Sequence, residues 1–157
     1  MMDKGNDLEG KRNHELLSLY SELMEELRRR GLTRTNNNPV ADYAEKVVIE
    51  HLDLRQALKE AKGYDATDDE NVRYQIKGRR ITRHNKSRQA GVIRNLEDRL
   101  FDFLIAAVFD ESFNLMEMWK IPHSVIKRYA RWSNQVNGYI LQLRGGLLLD
   151  PMVERIR

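Results

Sequence analysis

The chain has 157 residues, enough for one domain with its own core, and 27 basic against 24 acidic residues give a mild net charge of +3. It contains no cysteine, which excludes disulfides and thiolate zinc sites and suits a reducing cytosol. The first ten residues lack the apolar core of a signal peptide, and the longest apolar run, Phe103 to Phe109, is too short to cross a bilayer. We therefore expect a soluble, cytoplasmic protein without a membrane partner.

Residues 1–36 are predicted to form an N-terminal segment with one amphipathic helix, ahead of a single domain at residues 37–157. Within this segment, residues 1 to 12 are polar and are expected to be disordered. After Asn13, a suitable N-cap, four apolar residues recur at helical spacing: Leu16, Tyr20, Leu23 and Leu27. This stripe suits packing either on the core or on a second copy of the chain, so a homo-oligomer is one of the two arrangements it allows.

A second helix is predicted to begin at Asn38-Pro39, because Asn is a good N-cap and Pro is favoured at the first helical position. It is expected to run to Leu52 and, after a bend near Asp53, to continue to Ala61. Glu45 lies at the border of its apolar face, where a carboxylate is costly to bury without a partner. The residue is therefore either part of a functional site or an edge glutamate paired with a lysine or arginine.

The stretch from Val72 to Ile81 has the alternation of a strand with one polar face. Its apolar residues are separated by single polar ones, so the side chains of Gln75 and Lys77 point the same way. We expect this strand to form the second half of an antiparallel hairpin.

The first half of that hairpin is predicted at Gly63–Thr67, with a turn in the polar residues 68–71. An odd number of turn residues, pairing Asp68 with Val72, would place Asp65 opposite Gln75. An even number would turn Asp65 away, because a slip of one residue exchanges the two faces of a strand.

Gly63-Tyr64-Asp65 followed by Gln75-Ile76-Lys77 resembles the PD-(D/E)XK pattern of the restriction-endonuclease-like nuclease superfamily, over about residues 39 to 109. The resemblance implies a metal-dependent phosphodiesterase in which Lys77 positions or activates the attacking water. Gln75 stands in the D/E position, as in some restriction-type branches, and Glu45 corresponds to a glutamate that several branches carry on the preceding helix. The implied catalytic residues are Asp65, Gln75, Lys77 and Glu45, and the implied ligands of Mg²⁺ or Mn²⁺ are Asp65, Gln75 and Glu45.

Elementary chemistry favours the same residue types. Mg²⁺ takes oxygen ligands and commonly uses one or two carboxylates, with water and substrate phosphate completing its shell. Gln75 offers a neutral oxygen, so the site has one negative charge fewer than a site with two carboxylates in the hairpin. Glu45 would supply the missing carboxylate.

No acidic residue occurs between Ile76 and Leu96, and residues 82 to 95 are predicted to be a long loop. Positive charge beside a phosphodiester site is what a polyanionic substrate requires, since backbone phosphates dominate affinity. A merely solvated basic loop is the alternative. We predict that the nucleic acid is DNA and that the residues in contact with it are Arg79, Arg80, Arg83, Lys86 and Arg88.

The remaining pattern completes an α+β (α/β) domain with a mixed β-sheet flanked by helices, for which the resemblance implies a restriction-endonuclease-like core. The expected elements are a central strand at Leu100–Phe109, a strand at Phe113–Ile121, a helix ending near Trp132, a strand at Tyr139–Leu143 and a terminal helix from Asp150-Pro151.

Three functions are compatible with this sequence. The first is a metal-dependent endonuclease acting on DNA. The second is a nucleic-acid-binding module on the same fold that no longer cuts, with Gln75 as the reason. The third is an oligomerising interaction protein whose N-terminal helix mediates assembly.

Overall fold

A mixed α+β fold is formed by residues 7–157, which are the residues that the computed structural model describes. The helices within this range are α1 (Asn13–Arg29), α2 (Val40–Leu52), α3 (His123–Tyr129) and α4 (Gly146–Leu149). The strands are β1 (Arg55–Gln56), β2 (Ala66–Thr67), β3 (Arg73–Arg80), β4 (Gln89–Ile93), β5 (Phe103–Phe109), β6 (Leu115–Pro122), β7 (Arg131–Ser133), β8 (Gly138–Gln142) and β9 (Glu154–Arg155). Half of the segment predicted to be disordered, residues 1–6, lies outside the described residues.

The strands form a mixed sheet with the order β1-β2-β3-β5-β6-β9 and a smaller antiparallel sheet with the order β4-β8-β7. In the larger sheet β3 and β5 are parallel, while β5 and β6 are antiparallel. The predicted central strand is confirmed as β5, whose residues from Leu104 to Phe109 are all buried. Its nearly continuous apolar sequence follows from burial on both faces.

Two layers cover the two faces of the larger sheet. On one face, Ala44 and Val48 of α2 pack against Ile76 of β3 and Ile105 of β5. On the other face lie α3, α4 and the smaller sheet, whose buried residues pack against the alternate side chains of β5 and β6. Side chains of β3 that point away from α2 therefore face the smaller sheet.

Gly78 allows α2 to lie close to β3. A Cβ atom added at Gly78 would lie 2.6 Å from the Cβ of Ala44 and 2.9 Å from the carbonyl oxygen of Val40. Neither atom belongs to a flexible side-chain end, so a larger residue would force the helix away from the strand. This close approach fixes the position of α2, and with it Glu45, relative to the hairpin.

Helix α2 is shorter than the sequence predicts. It ends at Leu52, where Asp53 adopts a left-handed conformation with φ of 51°, and the chain then enters β1 instead of continuing as a helix to Ala61. Its start lies one residue later than predicted, at Val40 with Pro39 as N-cap, and the side-chain oxygen of Asn38 accepts a hydrogen bond from the Val40 N–H at 3.1 Å.

The prediction of a loop at residues 82 to 95 is wrong for its second half, which forms β4. Gly91 has a φ of 87°, and the register against β8 shifts between Gln89 and Val92. This irregularity breaks the alternation of apolar residues by which a strand is recognised in sequence, although Ala90 and Ile93 are both buried. The segment is therefore part of the fold.

Three further boundaries differ from the prediction. The strand expected at Gly63–Thr67 is paired only at Ala66–Thr67. Helix α3 ends at Tyr129, before Trp132, because the chain continues into β7. The terminal helix from Asp150 is absent from the described structure: the Asp150 carboxylate instead accepts hydrogen bonds from the Tyr129 hydroxyl and the Met152 N–H, and β9 follows.

Helix α1 is confirmed, but its apolar stripe is mostly exposed. Of its side chains, all of which the structure describes, Met24 alone is buried, whereas Tyr20 is 55% exposed and Leu23 is 57% exposed. Within residues 7–157 no helix is both long and apolar enough to cross a membrane.

Candidate active site

The turn of the β2–β3 hairpin has an odd number of residues, as one of the two predicted registers requires. Thr67 pairs with Arg73 and Ala66 with Tyr74, and the Asp68 N–H donates to the Val72 carbonyl at 3.2 Å. The Asp68 carboxylate stabilises the turn, since it accepts hydrogen bonds from the N–H groups of Glu70 and Val72 and from the Tyr74 hydroxyl. A polar residue that binds its own turn thus sets the register of the hairpin.

Asp65 lies just beyond the paired residues, where β2 separates from β3. Its N–H donates to the Tyr74 carbonyl at 2.8 Å, and its carboxylate Oδ2 accepts a hydrogen bond from the Ile76 N–H at 2.7 Å. The carboxylate therefore lies against the β3 backbone between Gln75 and Lys77, and not in a cross-strand pair with Gln75. Gly63 permits this path with φ of 82°, since any side chain there would overlap Leu100.

Gln75 and Lys77 point to the face of β3 that is turned toward the smaller sheet, as their alternation predicts. They line a cleft of about 550 Å³ whose opposite wall includes Val92 and Arg94 of the β4 segment. The Lys77 stem runs past Gly91, where an added Cβ would lie 3.8 Å from Lys77 Cδ. The Gln75 Oε1 atom is buried and has no hydrogen-bond partner among the described residues.

Glu45 is held by a residue that the sequence analysis did not select. The Arg34 guanidinium donates a hydrogen bond to Glu45 Oε2 and forms an ion pair with it, while the Glu45 side chain is only 16% exposed. Glu45 thus has the arginine partner expected of an edge glutamate. It also lies close enough to Asp65 for their charges to interact. Its position is therefore compatible with a role in a functional site and with that of an edge glutamate paired with an arginine.

Asp65, Glu45 and Lys77 are ionisable groups of opposite charge in a largely buried setting. Burial raises the pKa of Asp65, against the Ile76 N–H and the positive charge of Lys77. Burial and then the charge of Asp65 raise the pKa of Glu45, while Arg34 opposes both. Burial lowers the pKa of Lys77, although Asp65 favours its charged form. Perturbed ionisable groups that lie close enough for their charges to interact are typical of functional sites.

The donor atoms suit a hard divalent cation. Among the described residues no three His, Cys, Asp or Glu side chains are grouped to hold a metal ion. Two carboxylates, Glu45 and Asp65, and one amide oxygen, that of Gln75, are available instead, and Mg²⁺ is commonly held by one or two carboxylates. An amide oxygen that is buried without a partner usually needs an explanation, and a cation would supply the missing partner.

The five basic residues proposed to contact nucleic acid occupy different settings. Arg79 donates to the Ser87 carbonyl at 2.7 Å and is held by the loop that follows β3. Arg80 donates to the Glu111 carbonyl at 2.9 Å and is held by the β5–β6 turn. Arg83 and Lys86 are exposed. Arg88 is 26% exposed and forms a 2.6 Å ion pair with Glu117, so its guanidinium is engaged within the fold.

Arg94 lines the cleft, although it is not among the five residues predicted to contact nucleic acid. It is exposed, lines the cleft with Gln75 and Lys77, and its charge contributes to the lowered pKa of Lys77. Arg34 was missed because it lies in a segment that reads as a linker. Neither position could be found from local pattern, since each depends on how distant elements pack.

Compared with known proteins, the chain matches no protein-family model and no curated protein sequence.

Proposed function

We propose that the protein is a metal-dependent nuclease that hydrolyses phosphodiester bonds of DNA on a restriction-endonuclease-like core. The observation that carries this proposal is the grouping of three residues around β3: Asp65, whose carboxylate binds the Ile76 N–H, Lys77, whose charge interacts with that of Asp65, and Gln75, which lines one cleft with Lys77. Helix α2, which carries Glu45, precedes the hairpin that carries Asp65, Gln75 and Lys77.

Each residue has a defined part in this proposal. Asp65, Gln75 and Glu45 would hold Mg²⁺ or Mn²⁺, which when bound lowers the pKa of a water molecule and neutralises charge on the phosphate. The Ile76 N–H orients the Asp65 carboxylate by a 2.7 Å hydrogen bond. Lys77, placed two residues beyond Gln75, stabilises negative charge that develops on the phosphate as water attacks. Arg94 at the rim contacts the neighbouring backbone phosphate.

Cleavage by the wild-type protein tests the proposal directly. Supercoiled plasmid and single-stranded DNA are incubated with Mg²⁺, Mn²⁺, Ca²⁺ or EDTA, and nicked, linear and shortened products are quantified. We expect cutting with Mg²⁺ or Mn²⁺ and none with EDTA, because the water nucleophile requires activation. Equal cutting in EDTA would contradict a metal-dependent site.

A binding module without catalysis is the other outcome of the same experiment. In that case DNA would be retarded at low salt with or without metal, the affinity would fall with salt, and no metal would give cleavage. Gln75, which removes one negative charge from the site, would then account for the loss.

The exposed stripe of α1 favours self-association as a second function. Leu16, Tyr20 and Leu23 are 36%, 55% and 57% exposed and lie on one face of the helix. The charges at the two ends of α1 are already paired within the helix, Arg12 with Glu15 and Arg29 and Arg30 with Glu26, so the apolar side chains are the part of this face left to bind a partner. We propose that a second copy of the chain covers this stripe.

The solution mass tests this arrangement. We expect wild type to elute with twice the 18.5 kDa mass of one chain in light scattering at micromolar concentration, and Leu23→Glu to elute as one chain, because a charge at the centre of an apolar contact is costly. Ser18→Glu, on the opposite face of α1, is the matched control and should remain a dimer. A monomeric wild type would overturn the proposal.

A further inference from the structure

A second cleft adjoins the proposed active site and has a different chemical character. It has a volume of about 320 Å³ and is lined by the aromatic rings of Trp132 and Tyr139. Arg94, Asn95 and Asp98 line both this cleft and the one that contains Gln75 and Lys77, so the two are continuous along the β4 segment.

Trp132 is presented in a way that its packing within the fold does not explain. It is 52% exposed, whereas the other tryptophan of the chain, Trp119, is 8% exposed. Its indole N–H already donates to Asn134 Oδ1 at 2.7 Å, so the exposed part is the apolar ring surface. Large aromatic rings are usually buried or used in binding, and an exposed one with its polar atom satisfied offers a surface for stacking.

The ring is also held in place. Trp132 and Tyr139 are cross-strand partners in β7 and β8, with ring centroids 5.2 Å apart at 76°. The Tyr139 hydroxyl donates to Glu97 Oε1 at 3.2 Å, and Lys127 forms a 2.6 Å ion pair with the same carboxylate. A ligand that stacks on this pair therefore pays little cost for ordering the side chains.

The polar lining favours a base over a phosphate. Asp98 places a carboxylate on the wall, which repels a phosphate and accepts hydrogen bonds from an exocyclic amino group, whereas the charge of Glu97 is already balanced by Lys127. Asn95 and Asn137 add amides that both donate and accept. Arg94, at the junction of the two clefts, is the group suited to the intervening phosphate.

We propose that the Trp132–Tyr139 cleft binds an unpaired nucleobase with an exocyclic amino group, from a strand whose neighbouring phosphate lies in the Lys77 cleft. This inference rests on the proposed function and specifies its substrate as single-stranded DNA or DNA with an unpaired base near the cut. A base stacked in a duplex cannot reach the indole face, so an intact duplex would leave the cleft empty.

Tryptophan fluorescence in EDTA tests the site without requiring catalysis. In Trp119→Phe, Trp132 is the sole tryptophan, and we expect single-stranded oligodeoxyadenylate to quench its emission while a duplex of the same length has little effect. In the otherwise unaltered chain, Trp132→Leu should weaken binding of the single strand about 10-fold or more, whereas Trp132→Phe, which keeps an aromatic face, should bind within about 3-fold of wild type.

Absence of quenching, whether or not the strand binds, would overturn the inference, as would equal affinities of Trp132→Leu and wild type. The two proposals fail separately. If plasmid is cut with Mg²⁺ but quenching is absent, the base site is wrong and the nuclease stands. If quenching occurs and no metal supports cleavage, the base site stands and the catalytic assignment is wrong.

Discussion

Asp65→Asn is expected to reduce metal-dependent cleavage at least about 10³-fold, because it removes a carboxylate assigned to the metal ion while keeping the side-chain shape. The new amide can still accept the hydrogen bond that the Asp65 carboxylate accepts from the Ile76 N–H at 2.7 Å. The hairpin should therefore keep its geometry. The measurement is the initial rate of plasmid nicking at saturating Mg²⁺ or Mn²⁺.

The same substitution is expected to stabilise the metal-free protein at pH 7. The pKa of Asp65 is raised in the folded state, chiefly by burial, so its charged form lowers stability at pH values above that raised pKa. Removing the charge should increase the free energy of unfolding by about 1 kcal/mol, which corresponds to a rise in Tm of about 2–4 °C in a domain of this size. As the pH falls through the raised pKa toward the ordinary value of 3.8, wild type binds the proton and the difference should disappear.

Asp69→Asn is the matched control, since Asp69 is an exposed carboxylate in the turn of the same hairpin. It should leave both the rate and the Tm within error of wild type. A loss of activity accompanied by a lower Tm in Asp65→Asn would instead indicate damage to the hairpin. Unchanged cutting by Asp65→Asn would place the active centre elsewhere or indicate a contaminating nuclease.

The strands that carry the site could be predicted because their patterns are local. The alternation in β3 places Gln75 and Lys77 on one face, and the polar turn at Asp68 fixes the register. The exact position of Asp65 could not be predicted, because the pairing of β2 with β3 ends at Ala66, the residue that follows Asp65 in the chain. The Asp65 carboxylate then accepts a hydrogen bond from the backbone N–H of Ile76. Sequence alternation describes paired residues and carries no information about where a strand separates from its neighbour.

Contacts between distant elements account for the other differences. The ion pair of Arg34 with Glu45 joins a segment without regular structure to α2, and it can be read only from the packed chain. Likewise, Arg88 lies in a basic run that suggests a solvated surface, yet Glu117 of β6 pairs with it at 2.6 Å. Local charge density therefore predicted the polarity of the region but not which side chains remain available to a ligand.

Gln75→Glu is expected to make the stability of the protein depend on a divalent cation. The substitution adds a carboxylate where the Gln75 Oε1 atom is buried without a partner, next to the residue whose N–H binds the Asp65 carboxylate. In EDTA the added charge should cost about 1–3 kcal/mol, since Lys77 compensates only in part, and the Tm should fall by about 3–10 °C. A bound cation removes this cost, and a concentration 100 times the Kd would restore about 2.7 kcal/mol.

Thermal unfolding in EDTA and in Mg²⁺, with KCl added to equal ionic strength, separates this effect from general screening. Gln135→Glu adds the same charge in the exposed β7–β8 turn and should show neither the loss in EDTA nor the gain in Mg²⁺. If Gln75→Glu is destabilised and Mg²⁺ does not recover it, the cluster of Asp65, Glu45 and position 75 does not hold a cation. Recovery in Gln75→Glu with a smaller Mg²⁺ shift in wild type would mean that Gln75 sets a weak metal affinity at this site.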